Sequence, residues 1–395
     1  MTESWPKIRL DKLLRPICRR ESVNPSTIYN ILGAHWYAEG LYIKEIKPGR
    51  EIAASYLYKI KKGDFVYNRL FAWKGSFAIA TSENDNCYAS NEFPCFEIAE
   101  ERLNPQYLHY YFSRKSVWNE AFGLSTGGTP TSRNRLKEQR LLEMEIPLPS
   151  LDEQFHIVVR INELANKVKE TEIIRHQMIK ELTAFFISYQ RKIFTPESDW
   201  YGYSLEDCCE NIIDYRGRTP PISETGIPHL TSSNIRGGCI DWKTNKFVTE
   251  DIYASFMTRG LPRSGDIIFT MEAPLGQTAI VPDNRKFSLA QRTLLLRPKK
   301  DIIDSRYFAW YLMSPAVHEL ILSKATGTTV KGIASKRLKT IQLNIPSIEI
   351  QRRIAENIDL INQKINELLD IQYENLENLK AIIPSMLENT FKGKL

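Results

Sequence analysis

The sequence predicts an α+β protein: two globular α/β domains separated by two long antiparallel helices, with a pseudo-twofold internal repeat. The chain has 395 residues, more than the ~250–300 that one hydrophobic core usually serves. The same succession of features occurs twice, about half a chain apart. Each succession ends in a heptad-like apolar stripe, which is typical of long paired helices. We therefore expect a first domain at residues 1–150, a helix at 151–196, a second domain at 197–346 and a second helix at 347–395.

Short segments carry the repeat and match between the two halves. A Trp-x-x-(Ile/Tyr)-x-Leu-(Asp/Glu) motif opens each half. A Gly-Asp turn before an apolar run, an aromatic segment and a Thr-Gly stretch follow in the same order. The matching segments are residues 5–11 and 200–206, 63–66 and 265–268, 107–111 and 307–311, and 126–129 and 326–329. A shared order of this kind indicates two copies of one structural unit.

The most specific match is a join between a strand and a helix. Residues 146–150 and 343–347 are apolar runs that end in Pro-Ser, and each is followed by an acidic residue and then a glutamine, at Gln154 and Gln351. Acidic residues in the first turn of a helix meet its exposed amide donors and the positive end of its dipole. Both joins therefore predict the start of a long helix.

The two predicted helices should pair through apolar residues at alternating steps of four and three. The pairing residues that we predict are Ile157, Ile161, Leu164, Val168 and Leu182 in the first helix, and Ile354, Ile358, Ile361, Ile365 and Leu379 in the second. Both stripes turn polar in the middle, at Thr171 and Arg175 and at Gln372 and Asn375. A matched polar interruption can fix the register of a pair, or it can be chance variation in a solvent-facing stretch; both interpretations remain open.

Composition excludes several classes of protein. No run approaches the ~18 apolar residues of a membrane span, and the first ten residues do not resemble a secretory signal, so we expect a cytoplasmic protein. The six cysteines form no Cys-x-x-Cys pair, so we expect free thiols and no bound metal. The sequence contains no nucleotide-binding glycine motif, no zinc-protease motif and no nucleophile elbow, so we expect no catalytic site.

Both predicted domains contain loops that mix arginine, hydroxyl and amide side chains with aromatic residues and glycine. Such side chains contact phosphates and base edges, and the net charge of +6 is compatible with a polyanionic partner. Occurrence in both repeats favours nucleic acid over simple solvated loops. The candidate DNA-binding residues are Arg19, Arg20, Tyr29, Arg69, Lys74, Arg133 and Arg135 in the first half, and Arg216, Arg218, Thr219, Ser233, Asn234, Arg236, Arg292 and Lys331 in the second.

Over essentially its whole length, this order of features resembles the specificity subunit of Type I restriction–modification systems. The resemblance rests on the two Pro-Ser-to-glutamine joins with their heptad helices, and on residues 217–220, 227–228 and 233–235. It implies two target-recognition domains that read the two halves of a split double-stranded DNA target, with helices that set the spacer. It also implies two DNA methyltransferase (modification) subunits and restriction/translocase subunits as partners. S-adenosylmethionine, ATP and Mg²⁺ would be bound by those partners and no cofactor by this chain.

Other functions remain open on the sequence. The specificity subunit of a related methylase–nuclease system of Type II-like organisation would have nearly the same features. A coiled-coil scaffold whose domains bind protein instead of DNA would not need the arginine-containing loops. A stand-alone enzyme would need a nucleophile or a metal site, and the sequence motifs suggest neither.

Overall fold

The computed structural model describes residues 5–127, 134–215, 219–283 and 285–393. The chain divides into two compact units: Met1–His176 with Tyr373–Leu395, and Gln177–Gln372. Each unit holds one globular module and a part of both long helices. The predicted boundaries place each helix in a segment of its own, whereas the observed units divide both helices close to the polar interruptions of their stripes.

The module of unit 1 contains eleven described strands and three short helices. The strands are β1 (Lys7–Arg9), β2 (Leu14–Ile17), β3 (Arg20–Ser22), β4 (Ile28–Ala34), β5 (Leu41–Pro48), β6 (Tyr56–Lys59), β7 (Phe65–Tyr67), β8 (Phe77–Ile79), β9 (Tyr88–Ala89), β10 (Cys95–Ile98) and β11 (Glu145–Pro147). The helices are α1 (Pro105–Phe112), α2 (Lys115–Leu124) and α3 (Glu138–Glu143). The strands form a five-stranded sheet β3-β6-β9-β4-β5, a four-stranded sheet β2-β10-β7-β8 and the ribbon β1-β11.

The long helix α4 (Leu151–Ile193) follows, and the module of unit 2 repeats the plan. Its strands are β12 (Tyr201–Ser204), β13 (Cys209–Asp214), β14 (Ile227–Leu230), β15 (Ile235–Arg236), β16 (Cys239–Ile240), β17 (Phe247–Val248), β18 (Ile267–Thr270), β19 (Thr278–Ile280), β20 (Ser288–Leu289), β21 (Thr293–Pro298) and β22 (Gln342–Ile345). Its helices are α5 (Glu250–Phe256), α6 (Ser305–Met313), α7 (Pro315–Lys324) and α8 (Ser335–Lys339), and the second long helix, α9 (Ile348–Thr390), follows them. The sheet β13-β21-β18-β19 corresponds to β2-β10-β7-β8, and the ribbon β12-β22 to β1-β11.

One of the two inner strands of each four-stranded sheet, β7 or β18, is buried on both faces. In β7, Phe65 lies in the core shared with α1 and α2, while Val66 lies in a second core on the other face. In β18, Ile267 and Ile268 divide between two cores in the same way. Successive side chains of a strand point to opposite faces, so a short apolar run without polar alternation fits a strand between two apolar layers. This explains the runs that follow both Gly-Asp turns.

The Gly-Asp turns have the same structure in both modules. Gly63 and Gly265 have φ values of 90° and 84°, a left-handed conformation that glycine adopts without steric cost. The next residue buries its carboxylate, which accepts a backbone N–H three residues earlier at 2.8 Å: Lys61 N–H for Asp64 and Arg263 N–H for Asp266. The Gly-Asp motif therefore fixes the backbone conformation immediately before β7 and β18.

Both long helices have 43 residues, a length of about 65 Å at ~1.5 Å per residue. A buried glutamine anchors the start of each helix. The Gln154 Oε1 atom accepts the Asn104 N–H at 2.8 Å, and its Nε2 atom donates to the carbonyls of Arg102 and Pro149 at 3.0 Å each. Gln351 makes the corresponding three bonds in unit 2, at 2.8–2.9 Å. The matching sequences at the two joins therefore correspond to the same set of glutamine hydrogen bonds in each unit.

Within each unit, one helix segment comes from α4 and one from α9. In unit 1, Ile157 and Ile161 near the start of α4 share a core with Leu387 near the end of α9. In unit 2, Phe186 near the end of α4 shares a core with Ile354 near the start of α9. The segments therefore run antiparallel, which confirms the predicted fold class. No described helix is both long enough and apolar enough to cross a membrane.

Candidate nucleic-acid interface

A groove of about 410 Å³ opens in the module of unit 2. It lies where the parallel strands β14 and β20 end, beyond the aligned residues Leu230 and Leu289. Hydroxyl, amide and basic side chains line it together with small apolar ones: Thr219, Pro220, Ile222, His229, Thr231, Ser232, Ser233, Lys246, Ala273, Ala290, Gln291 and Arg292. The structure therefore brings together three of the predicted residues, Thr219, Ser233 and Arg292.

A tight turn shapes one wall of this groove. The Asn234 Oδ1 atom accepts both the backbone N–H and the hydroxyl of Thr231 at 3.0 Å, and its Nδ2 atom donates to the carbonyl of Asp241 at 2.9 Å. Asn234 is buried, whereas Ser233 is exposed with its hydroxyl 2.7 Å from that of Thr231. Asn234 thus holds the turn, and Ser233 presents a hydroxyl to solvent.

Arg292 stands between this groove and a smaller one of about 260 Å³. Its Nε atom lies 2.7 Å from Oε1 of Glu272, and just over half of the arginine side chain is exposed. The pair fixes the guanidinium direction while leaving much of it accessible. Lys331 is exposed in the segment between Thr326 and Gly332, whose backbones pair beside the smaller groove. Arg236 is exposed at the end of β15 and is not among the residues that line either groove.

The module of unit 1 has a larger groove, of about 680 Å³, at the corresponding position. It lies beside the end of β4, which pairs in parallel with β9 as β14 pairs with β20. Its lining is more aromatic: Ile31, Leu32, Gly33, Ala34, His35, Trp36, Tyr37, Glu39, Tyr42, Lys44, Asn68, Leu70, Phe71, Ser90, Glu92 and Phe93. The two modules therefore present different chemistry at the same place in the fold.

Most of the residues predicted to bind DNA in unit 1 hold intramolecular contacts instead of lining this groove. Arg19 forms an ion pair with the buried Asp64, its Nη2 atom lying 3.0 Å from Oδ1, and Asp64 lies outside the groove. Tyr29 is buried, and its hydroxyl accepts the N–H of Asn24 at 2.8 Å. The Arg20 guanidinium lies 3.5 Å from the ring centroid of Tyr56.

Three other predicted residues in unit 1 lie nearer to the groove. Arg69 pairs with Glu138, its Nε atom lying 3.2 Å from Oε2. Arg135 pairs with Glu92, which lines the groove. The Lys74 Nζ atom lies 3.5 Å from the ring centroid of Trp36, another lining residue.

Three predicted residues, Arg133, Arg216 and Arg218, lie outside the described residues. Sequence reasoning missed the aromatic pair Trp36 and Tyr37. The available signal was two adjacent large aromatic residues in the short connection between two strands, a place where side chains are usually exposed.

The predicted helix-pairing residues are all buried or half-buried. Ile157 and Ile161 join the core of unit 1, and Ile354 and Ile358 join that of unit 2. Leu164, Val168, Leu182, Ile361 and Leu379 are half-buried, and Ile365 is buried. In α4 the stripe shifts by one residue near its end: Phe185 is 54% exposed, whereas Phe186 contacts Trp310, with ring centroids 6.0 Å apart.

One ionisable group in the groove of unit 2 has a strongly shifted pKa. Burial, aided by the positive charge of Lys246, lowers the pKa of the His229 imidazole to about 4. Its Nδ1 atom lies 2.8 Å from the Ser288 hydroxyl. His229 is therefore neutral at pH 7 and contributes polarity but no charge to the groove.

The structure is thus a duplicated fold in which each copy has one long helix and a groove beside its parallel strand pair. The sequence model of the Type I restriction modification DNA specificity domain matches the chain twice, at residues 27–183 and 197–388. The chain belongs to this family.

Known relatives match over most of the chain. The specificity subunit of the Type I restriction enzyme MjaVIII of Methanocaldococcus jannaschii is 22% identical over 417 aligned positions, which cover 100% of this chain and 93% of the relative. The specificity subunit of the Type I restriction enzyme EcoBI of Escherichia coli is 20% identical, covering 89% of this chain and 79% of the relative.

Two solved structures have a similar fold. The HsdS subunit from Thermoanaerobacter tengcongensis matches with a TM-score of 0.68 and 22% identity, covering 100% of this chain and 98% of that chain. A chain from a study of complex assembly and conformational transition in the type I R-M system matches with a TM-score of 0.75 and 23% identity, covering 100% and 99%.

Proposed function

We propose that this chain is the sequence-specific DNA-recognition subunit of a Type I restriction–modification complex, and that each module reads one half of a bipartite target. Membership of the DNA specificity domain family supports this proposal. The observation that carries it is the duplicated groove: each module has one at the same position beside a parallel strand pair, and the two linings differ. Two copies with different linings fit a target whose halves differ in sequence.

The side chains of unit 2 suit base edges. Arginine forks onto the O6 and N7 atoms of guanine, glutamine pairs with the N6 and N7 atoms of adenine, and serine or threonine serves either base. Gln291, Arg292 and Ser233 supply these three kinds of side chain around one groove and are all exposed. Arg292 is the residue that we assign to direct readout. Lys331 and Arg236 are better placed to contact phosphates, since they lie outside the lining of this groove.

We further propose that the chain acts in the cytoplasm and works with two DNA methyltransferase subunits and with restriction/translocase subunits. Its relatives are named as specificity subunits of Type I restriction enzymes. On this proposal the chain contributes recognition and scaffolding but no catalysis. S-adenosylmethionine, ATP and Mg²⁺ would then be bound by the partners. A related methylase–nuclease system of Type II-like organisation would use the chain in the same way.

Selection of DNA by the reconstituted complex tests the proposal. The full chain is co-purified with its proposed methyltransferase partner subunits, and random-sequence duplexes are selected over several rounds. We expect enrichment of one motif with two defined halves and a spacer of constant length. Arg292→Ala should reduce the base preference at one position, in one half of the motif only. A complex that binds DNA without any enriched motif, or that enriches a single undivided motif, would contradict the proposed function.

A further inference from the structure

We propose that Trp36 and Tyr37 form an aromatic wedge that stacks on the bases of the first half-site. This inference rests on the proposed function and adds the residues through which the module of unit 1 engages DNA. The two residues lie in the connection between β4 and β5 and line the groove of unit 1.

The wedge is an exposed aromatic surface. Trp36 is 41% exposed, Tyr37 58% and Phe71 37%. Their rings contact one another: the centroids of Trp36 and Phe71 are 5.9 Å apart and those of Trp36 and Tyr37 6.4 Å. Large apolar groups clustered on a surface beside a groove mark an interaction site more often than single exposed residues do. The surface therefore needs a partner with flat apolar faces.

The backbone holds the wedge in a fixed and unfavourable conformation. Tyr37 and Ala38 have φ values of 60° and 58°, in the left-handed region that L-residues other than glycine rarely adopt. Two bonds clamp them: Tyr37 N–H donates to the carbonyl of Lys74 at 2.8 Å and Ala38 N–H to that of Gly75 at 2.7 Å. Residues held in such conformations cluster at ligand-binding sites. The clamp presents the aromatic rings without the entropy cost of ordering a loose loop.

The turn at Lys74 and Gly75, which accepts these two hydrogen bonds, also places the Lys74 ammonium beside the aromatic wedge. The Lys74 Nζ atom lies 3.5 Å from the ring centroid of Trp36 and 5.0 Å from that of Trp73. Gly75 has no room for a side chain, since a Cβ atom there would lie 2.4 Å from the Trp118 ring. Aromatic faces stack on bases, and an adjacent ammonium group can neutralise a phosphate. This combination fits nucleic acid better than an apolar protein surface, which would bury the half-exposed Lys74 ammonium without an anionic partner.

The position in the fold supports the same partner. Ile31 of β4 and His229 of β14 each lie opposite the first residue of the parallel partner strand, so Trp36 corresponds in position to Asn234 of unit 2. There the exposed Ser233 adjoins the groove to which Arg292 contributes. On the proposed function, the groove of unit 2 binds bases through hydrogen bonds. The corresponding groove of unit 1 would bind bases through the aromatic rings of Trp36 and Tyr37. Apolar side chains that insert between base steps also unstack and kink the duplex.

The test uses the complex of the full chain with its methyltransferase subunits and a duplex that carries the selected bipartite motif. The duplex has 2-aminopurine in its first half-site. Three variants are compared with the wild type: Trp36→Ala, Tyr37→Asn and, as the control, Phe122→Ala. Phe122 is 44% exposed in the same module but does not line the groove. Tyr37→Asn removes the ring but places a residue that tolerates the left-handed conformation, so we expect the variant to fold at least as well as the wild type.

We expect Trp36→Ala and Tyr37→Asn each to weaken binding of this duplex by about 5- to 150-fold, the range for the loss of one stacked base. Wild-type binding should change the 2-aminopurine fluorescence, because the stacking of that base changes, and both variants should reduce this change. Both should also reduce the discrimination against changes in the first half only. Phe122→Ala should bind as the wild type does. Wild-type affinity in both variants would overturn the inference, as would loss of the methyltransferase subunits with normal DNA binding, which would indicate a protein interface. A wild-type complex that selects no bipartite motif would overturn the proposed function itself.

Discussion

Replacing the buried glutamine at the start of α9 should strongly destabilise unit 2. Gln351 is fully buried and satisfies the N–H of Asp304 and the carbonyls of Ile302 and Pro346 at 2.8–2.9 Å. Gln351→Met keeps the volume but leaves these three polar groups without their partner. An unsatisfied buried polar group costs about 1–3 kcal/mol. Because local relaxation recovers part of this, we expect a loss of about 3–5 kcal/mol in the free energy of unfolding.

Hydrogen exchange of the full chain in increasing urea measures this loss separately in each unit. Peptides that cover residues 302–313 and 348–358 should lose protection at lower urea, while those of unit 1 should be nearly unchanged. The matched control is Gln363→Met on the same helix, where the amide is exposed and donates to Glu367; it should cost less than about 0.5 kcal/mol. Gln154→Met should destabilise unit 1 by an amount similar to that of Gln351→Met in unit 2. A change below about 1 kcal/mol for Gln351→Met would refute the anchoring role.

Three further predictions concern readout, spacing and pH. Arg292→Ala should cost ~1–3 kcal/mol of binding to the selected duplex and relax one base position; an equal loss on all sequences in a competition assay would assign Arg292 to phosphate. Inserting four residues after His176 lengthens α4 by about 6 Å and should change the spacer but neither half-site; an unchanged spacer in the methylated motif would refute the ruler role of the helices. The pKa of His229 is lowered to about 4, below the ~6.5 of an unfolded histidine. Unit 2 should therefore keep its full stability above about pH 6.5 and lose at most about 3 kcal/mol as the pH falls towards 4. In thermal melts at several pH values, His229→Gln should weaken the dependence of unit 2 stability on pH. An unaltered dependence would contradict the assignment of this pH effect to His229.

The sequence was sufficient to predict the fold because its strongest signals are local and repeated. A stripe at steps of four and three over forty residues predicts a helix wherever it occurs. The Pro-Ser-to-glutamine joins mark the residues at which α4 and α9 begin. The glutamine does more than its place in the motif suggests, since two of its three hydrogen bonds reach backbone groups nearly fifty residues away.

The candidate site was harder to predict because an arginine has the same appearance in a sequence whether it is paired or accessible. Arg19 and Arg69 each lie against a carboxylate from a distant part of the chain, and only the folded structure brings those groups together. Tyr29 is also buried in the folded structure, and the sequence alone does not show this burial. In contrast, Thr219, Ser233 and Arg292 meet in one groove although more than fifty residues separate Ser233 from Arg292. The assignment of each residue to DNA contact stays a prediction.

We propose that each module of this chain selects one half of a DNA target. This can be tested by mapping methylated adenines across the DNA of a host that co-expresses the chain and its methyltransferase subunits. We expect a single split motif with two defined halves and a fixed spacer, in which Arg292→Ala alters one half and Trp36→Ala the other. Methylation without a split motif, or variants of both modules that alter the same half, would contradict it.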